Sequence, residues 1–275
     1  MNKKKKIIVS IVSLAVVVIL IGVFYGIKEE KNIHKVEAQK PNEEIVEDIK
    51  PKSDKEVLEL KNKELKKYEN IENDYYMMLV NKFNPLKDDF VAKDIVPSGL
   101  PFIGGSSNTY MNKEAKVEAR KMFNDAKKDG ITLLGVSAYR TNAVQTQIYN
   151  NNIKTKGLEH TKKYSAAPGT SEHETGLAID VVSSEHTGLT WDFDKTKAFE
   201  WLNDNAYKYG FVLRYPKDKT EVTKYEYEPW HYRFVGLNNA KKMHEGNLCF
   251  DEYINWARQN ADRLRFEIEE LKEKK

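Results

Sequence analysis

The hydrophobic pattern of the chain is strongest at its beginning. Residues 7–27 are apolar apart from two serines, two glycines and one tyrosine, and lysines occupy residues 3–6. As a helix this segment would be about 30 Å long, which matches the hydrocarbon core of a bilayer. The lysines favour a cytoplasmic amino terminus. We therefore predict a transmembrane anchor within residues 1–27. A cleaved signal peptide is the alternative, although the run is long for one and lacks a small-x-small site.

Residues 28–73 are rich in lysine and glutamate and predict a charged, partly helical spacer. Ser53 and Glu56 form the pattern of a capping box, which predicts the start of a helix. Its sparse apolar stripe leaves two placements open, a self-associating stalk or a helix that packs weakly on the following domain. Residues 251–275 carry apolar positions at steps of three and four, which predicts an amphipathic closing helix.

Residues 74–250 have the composition and pattern of a globular domain. Helical periodicity with glycine stops predicts helices at 112–129, 142–156 and 195–209. Short apolar and aromatic runs predict strands at 133–139, 177–182, 211–215 and 230–235. Helices and strands do not alternate regularly, so we predict an α+β fold, with a small mixed or antiparallel sheet and flanking helices.

Charge and cysteine content exclude several classes of protein. Lys and Arg number 45 against 42 Asp and Glu, a net charge of +3, so nucleic acid is not an expected partner. Cys249 is the single cysteine, which excludes an internal disulfide framework and a cysteine-rich zinc site.

Metal-binding chemistry is indicated by three residues in combination. Asp180 interrupts an apolar strand, where a buried carboxylate needs a cation or hydrogen-bond donors. His173 precedes it in a loop whose Gly176 allows the chain to fold back, and His231 begins another strand. Two imidazoles and one carboxylate suit a catalytic zinc ion, with the fourth position open to water. Glu228, held by Pro229, is then the candidate general base.

Three sequence blocks carry a resemblance to a known family. They are S-A-Y-R-x4-Q from Ser137, P-G-T-S-E-H-x-x-G-L-A-I-D from Pro168, and E-P-W-H-Y-R-F-V-G from Glu228. In order and spacing the chain resembles the VanY-type D-alanyl-D-alanine carboxypeptidases, zinc peptidases of the hedgehog/DD-peptidase fold. The resemblance covers residues 74–250. It implies one Zn2+ per domain, bound by His173, Asp180 and His231.

The resemblance also implies roles for residues around the metal. Glu228 would be the catalytic base, and Arg140 would polarise the scissile carbonyl and stabilise the oxyanion; a structural ion pair is its alternative role. Gln145 and Ser171 would line the site and contact substrate. Their alternative roles are a helix surface position for Gln145 and a turn position for Ser171. Trp230 is equally a pocket wall or a core residue.

The function implied is removal of the terminal D-alanine from peptidoglycan stem peptides by metal-activated water. Two alternatives stay open: an L,D-carboxypeptidase acting on tetrapeptide stems, and a non-catalytic, zinc-stabilised wall-binding module. Together with the predicted anchor, the resemblance implies a single-pass protein of a bacterial cell membrane, with its catalytic domain outside the cytoplasm.

Overall fold

The fold is known from a computed structural model that describes residues 53–273. The predicted anchor, residues 7–27, lies outside the described residues. Among the helices that are described, none combines the length and apolar character needed to cross a membrane.

A four-stranded antiparallel sheet forms the centre of the domain. Its strands are β3 (Leu133–Ser137), β4 (Ala178–Ser183), β5 (Phe211–Leu213) and β6 (His231–Phe234), in the spatial order β3-β4-β6-β5. Strands β1 (Ile95–Pro97) and β2 (Tyr110–Asn112) form a separate antiparallel pair. The described residues therefore have the predicted α+β architecture, with the sheet antiparallel throughout.

Helices flank the sheet, and 3-10 turns link several of them. The helices are α1 (Asp54–Glu72), α2 (Lys113–Lys128), α3 (Asn142–Lys156), α4 (Leu158–Tyr164), α5 (Lys197–Asn205), α6 (Thr220–Thr223), α7 (Leu237–Glu245) and α8 (Phe250–Glu273). The 3-10 turns are Tyr75–Met77, Glu172–Thr175, Trp191–Lys195 and Ala206–Tyr209.

Helix α2 shows why these segments take the structure they do. Asn112 caps its start, because the side-chain oxygen accepts hydrogen bonds from the backbone of Glu114 and Ala115. Its buried face, which includes Met122 and Phe123, packs into the main core beside the sheet. The helix ends at Lys128, close to the predicted stop at Gly130, whose φ of +82° suits glycine.

The two terminal helices pack against each other. Ser53 and Glu56 form the predicted capping box of α1, although no residue of that helix is buried. Lys61 pairs with Glu267 of α8 at 2.6 Å, and the Tyr68 and Trp256 rings meet edge to face. Helix α1 therefore packs on the domain, which was one of the two placements considered for it. Helix α8 is the predicted closing helix and starts at Phe250, within the core.

Candidate active site

The register of the sheet brings the candidate residues together. Asp180 on the central strand β4 pairs with His231 on β6, and on its other side with Ser137 of β3, beside a bulge. These residues are far apart in sequence, and the strand pairing alone makes them neighbours. Asp180 is 3% exposed, so its carboxylate is removed from bulk water.

His173 reaches the same point from the 3-10 turn Glu172–Thr175. Gly176 ends that turn with φ +74°, and a Cβ there would collide with the side chain of Ile95. The His173 Nδ1 lies 2.7 Å from the carbonyl oxygen of Ala138. Because a carbonyl only accepts, Nδ1 carries the proton and Nε2 presents its lone pair. Nε2 lies 3.4 Å from Asp180 Oδ2.

His231 presents its other nitrogen to the same carboxylate. Its Nδ1 lies 3.2 Å from Asp180 Oδ1, and its Nε2 lies 3.4 Å from Glu172 Oε2. A proton on Nε2, donated to Glu172, leaves the Nδ1 lone pair facing Asp180. Each imidazole therefore has one nitrogen held by an acceptor and the other directed to a common point, and metal-binding histidines are commonly oriented in this way.

This arrangement fits zinc. One ligand atom from each of His173, Asp180 and His231 lies within 4.8 Å of the others, and all three residues are buried. Asp180 Oδ1 is buried and lies 3.2 Å from His231 Nδ1, where a cation can take the place of the proton between the two atoms. Two imidazole nitrogens and one carboxylate oxygen are a donor set that zinc accepts, with a fourth position open.

The electrostatics of the two histidines differ. Burial lowers the pKa of His173 to about 4, which keeps its ring neutral and able to bind a metal. Burial also opposes protonation of His231, but hydrogen bonds to Asp180 and Glu172 outweigh it and raise its pKa to about 9. A cation at Nδ1 would have to displace that proton, so metal affinity should rise with pH.

Glu228 lies at the edge of this cluster. Its Oε2 is 3.7 Å from His231 Nδ1, and its side chain is 22% exposed toward the cleft. Burial raises the pKa of Glu228 to about 7, although His231 opposes the shift. A carboxyl group with a pKa in this range can both accept and return a proton at neutral pH.

Arg140 follows strand β3 and faces Asp180. Its Nη2 donates to Asp180 Oδ2 at 3.0 Å, Nε to Ser137 Oγ at 2.8 Å, and Nη1 to Gln145 Oε1 at 3.3 Å. Arg140 therefore forms an ion pair with Asp180, which was the alternative role predicted for it. Within the part of the chain that the structure describes, these contacts use three of the five guanidinium N–H groups and leave two for a ligand.

Gln145 is an interior residue, 1% exposed, rather than part of a helix surface. Its amide nitrogen donates to the Ala166 carbonyl at 2.8 Å and its oxygen accepts from Arg140. Gln145 therefore lines the cleft, as predicted, and holds Arg140 there. Ser171 is also buried and lines the cleft, and Trp230 both lines the cleft and packs on the main core.

The cleft that contains these residues has a volume of about 560 Å³. Sequence reasoning missed its aromatic walls, which come from a helix end, a 3-10 turn and loops that are far apart in sequence. They are Tyr164, Trp191, Tyr215, Tyr225 and Tyr227.

Sequence reasoning also missed a buried group of charges behind His231. Glu172 is fully buried and pairs with Arg214 at 2.7 Å and Arg233 at 2.9 Å. Arg214 also pairs with Asp251 on α8 at 2.5 Å. Arg214 and Arg233 have no exposed surface. Although burial opposes it, the two arginines hold the pKa of Glu172 well below its usual range. Charged residues inside the apolar segments 211–215 and 230–235 were the available signal.

Comparison with known proteins places this geometry in a family. Residues 108–237 match the VanY family model, described as D-alanyl-D-alanine carboxypeptidase. The bifunctional D-Ala-D-Ala dipeptidase and D-Ala-D-Ala carboxypeptidase VanXYC of Enterococcus gallinarum is 34% identical over 189 residues, 67% of this chain and 96% of that protein. The chain belongs to the VanY family.

Two other relatives align over a similar region. YodJ of Bacillus subtilis (strain 168) is 42% identical over 182 residues, 65% of this chain and 66% of that protein. A D-alanyl-D-alanine carboxypeptidase of Enterococcus faecium is 37% identical over 190 residues, 66% of this chain and 58% of that protein. The chain thus spans just under two thirds of the first relative and less of the second.

Solved structures share the fold. The LdcB LD-carboxypeptidase superposes with a TM-score of 0.60 at 42% identity, covering 64% of this chain and 84% of that one. VanYB in complex with D-alanine-D-alanine gives 0.56 at 32% identity, covering 66% and 98%. A variant of the D,D-pentapeptidase VanY in complex with Zn(II) gives 0.55 at 31% identity, covering 66% and 99%.

Proposed function

We propose that this VanY-family chain is a zinc-dependent D,D-carboxypeptidase that removes the terminal D-alanine from peptidoglycan stem peptides. The observation that carries the proposal is the buried set His173, Asp180 and His231, with Glu228 beside it and Arg140 facing it. Relatives named as D-alanyl-D-alanine carboxypeptidases, and a VanY structure with Zn(II), support the substrate and the metal.

His173 through Nε2, His231 through Nδ1 and Asp180 would hold the zinc ion. When bound, zinc supplies a Lewis acid that activates water and polarises the scissile carbonyl. The neutral state of His173 and the orientation of both rings are fixed by the protein before any metal arrives.

Glu228 accepts the proton of the attacking water. Its position at the edge of the cleft and its raised pKa suit it to take that proton and then to give it to the departing amine of D-alanine. The two free N–H groups of Arg140 stabilise the negative charge that develops on the carbonyl oxygen. No covalent bond between the protein and the peptide is needed.

An L,D-carboxypeptidase activity on tetrapeptide stems is the second candidate. The specific observation in its favour is the LdcB structure, an LD-carboxypeptidase with 42% identity and a TM-score of 0.60. The two activities require the same metal, base and oxyanion group, and differ in the residue that precedes the scissile bond.

The test is mass-spectrometric analysis of muramyl tetrapeptide and pentapeptide after incubation with the full chain, with zinc or with a chelator. Loss of one alanine from pentapeptide alone, blocked by the chelator, is the expected result. Loss from tetrapeptide alone would establish the L,D activity. Stoichiometric zinc without cleavage of either peptide would refute both, and would favour a zinc-stabilised wall-binding module. Glu228→Gln is the matched control for contaminating peptidases.

We also propose that residues 1–27 anchor the protein in a bacterial cell membrane as a single span, with the catalytic domain outside the cytoplasm. The support is the 21-residue apolar run, residues 7–27, and the lysines that precede it. Fractionation of cells that express the full chain should place it in the membrane, with residues 74–250 accessible to added protease. Recovery of a shortened, soluble chain would indicate a cleaved signal peptide instead.

A further inference from the structure

A buried chain of charges connects the metal ligand His231 to the carboxyl-terminal helix α8. His231 Nε2 contacts Glu172 Oε2 at 3.4 Å, Glu172 Oε1 contacts Arg214 Nε at 2.7 Å, and Arg214 Nη1 contacts Asp251 at 2.5 Å. Asp251 lies in the first turn of α8 and outside the region matched by the family model, residues 108–237.

Glu172 is the only acceptor that the described residues offer to His231 Nε2. That contact decides which nitrogen of the ring is free, because a proton held on Nε2 leaves the lone pair on Nδ1, the nitrogen directed at Asp180. With an amide in place of the carboxylate, an N–H donor could face Nε2 instead. The ring would then favour the tautomer with its proton on Nδ1, and the nitrogen that faces Asp180 would have no lone pair for a metal.

Two arginines compete with His231 for the charge of Glu172. Arg214 and Arg233 both contact Glu172 Oε1, and Arg233 is further held by the carbonyl oxygens of Tyr76 and Met78. Asp251 supplies the second negative charge and balances the group at two cations and two anions. Without it, Glu172 would be the one carboxylate that the described residues offer to Arg214, and Arg214 would draw it away from His231.

We propose that Glu172 and Asp251 are positioning residues for His231, so that the first turn of helix α8 contributes to the affinity of the metal site. The inference rests on the metal site of the proposed function and is independent of the identity of the substrate. It assigns a role in metal binding to Asp251, which is linked to the metal ligand His231 only through Arg214 and Glu172.

The test measures the zinc dissociation constant of the full chain by competition with a chromogenic chelator. Glu172→Gln should weaken zinc binding on the order of 10- to 100-fold, the usual effect of losing an outer-shell partner. Asp251→Asn keeps an oxygen for Arg214 and is expected to fold; it should weaken binding in the same direction by a smaller factor. The absorption spectrum of the Co(II)-substituted protein should change in both variants, because the His231 ring is held differently.

Glu252→Gln is the matched control. This neighbour of Asp251 pairs with Lys219 and accepts from the Cys249 backbone, and it does not contact the charge group. It should leave zinc affinity within about two-fold, as expected for a partly exposed ion pair. Equal losses in Asp251→Asn and Glu252→Gln would overturn the proposal, since the start of the helix would then be responsible.

Lower thermal stability of the metal-free variants with unchanged zinc affinity and Co(II) spectra would also overturn it, because the charges would then be structural only. If the wild-type chain binds zinc but cleaves no stem peptide, the proposed function fails while the dissociation constants still decide the inference. If the wild-type chain binds no zinc, both fail.

Discussion

Replacing Arg140 by lysine separates its two possible roles. The guanidinium makes three contacts, to Ser137, Gln145 and Asp180, and keeps two N–H groups free. A lysine ammonium can keep the charge near Asp180 but cannot also reach the other two partners in that geometry. Arg140→Lys therefore removes the directed donors and retains most of the charge.

Arg140→Lys is expected to lower both the stability of the protein and its kcat. Loss of the Ser137 and Gln145 contacts should lower the free energy of unfolding by about 2 kcal/mol, at roughly 1 kcal/mol for each hydrogen bond. If the free N–H groups stabilise the oxyanion, kcat should fall on the order of 100- to 1000-fold, equivalent to about 2.7–4 kcal/mol. Zinc content should stay close to that of the wild type, because the three ligands are still present and the lysine ammonium keeps a positive charge near Asp180.

The assay is release of D-alanine from pentapeptide at saturating substrate, together with zinc analysis and chemical denaturation. Ser137→Ala is the matched control, since it removes one contact of Arg140 and leaves the guanidinium in place. It should cost about 1 kcal/mol of stability and much less activity than Arg140→Lys. A kcat for Arg140→Lys that equals that of Ser137→Ala would refute the oxyanion role and leave Arg140 as a structural ion pair.

Further predictions concern the base, the metal and the terminal helix. Glu228→Gln should keep zinc and lose on the order of 100- to 10,000-fold in kcat; a smaller loss would contradict its role as base. Because the base must be ionised, kcat/KM should fall as the pH falls below about 7, the pKa of Glu228. A bound cation lowers that pKa and moves the fall to lower pH. A flat profile from pH 4 to 8 would exclude Glu228 as the base. Asp180→Ala should abolish stoichiometric zinc, as metal analysis would show. Leu264→Ala, at a buried position of α8, should cost about 2–5 kcal/mol in denaturation, whereas exposed Phe266→Ala should stay within about 0.5 kcal/mol.

Much of the fold follows from local signals in the sequence. Helices α2 and α3 lie within a residue of their predicted limits, because Gly130 and Gly157 take positive φ angles that stop a helix. The predicted helix 195–209 is divided into α5 and a 3-10 turn, and still stops before Gly210. The four predicted strands are those of the central sheet, each shorter than predicted by one or two residues or shifted by one.

The features that the sequence did not predict depend on contacts between distant segments of the chain. Strands β1 and β2 have three residues each, too few for a period-two pattern to be visible. Glu172 stands beside His173 in the family block, yet its role depends on Arg214, which follows β5, and on Arg233 of β6. The interior position of Gln145 likewise depends on Ala166 and Arg140. Local sequence patterns carry no information on such partners.

The core packing of the sheet fixes the geometry of the metal site. Ile179 and Val181 are fully buried in the main core, and Asp180 between them faces the opposite side of β4, toward His231. A slip of one residue in this strand would move Asp180 into the apolar core and an aliphatic side chain into the metal site. An unpaired carboxylate in that core would cost several kcal/mol. The apolar residues that hold the register therefore also hold the distance between the ligands, and the site needs no metal to be assembled.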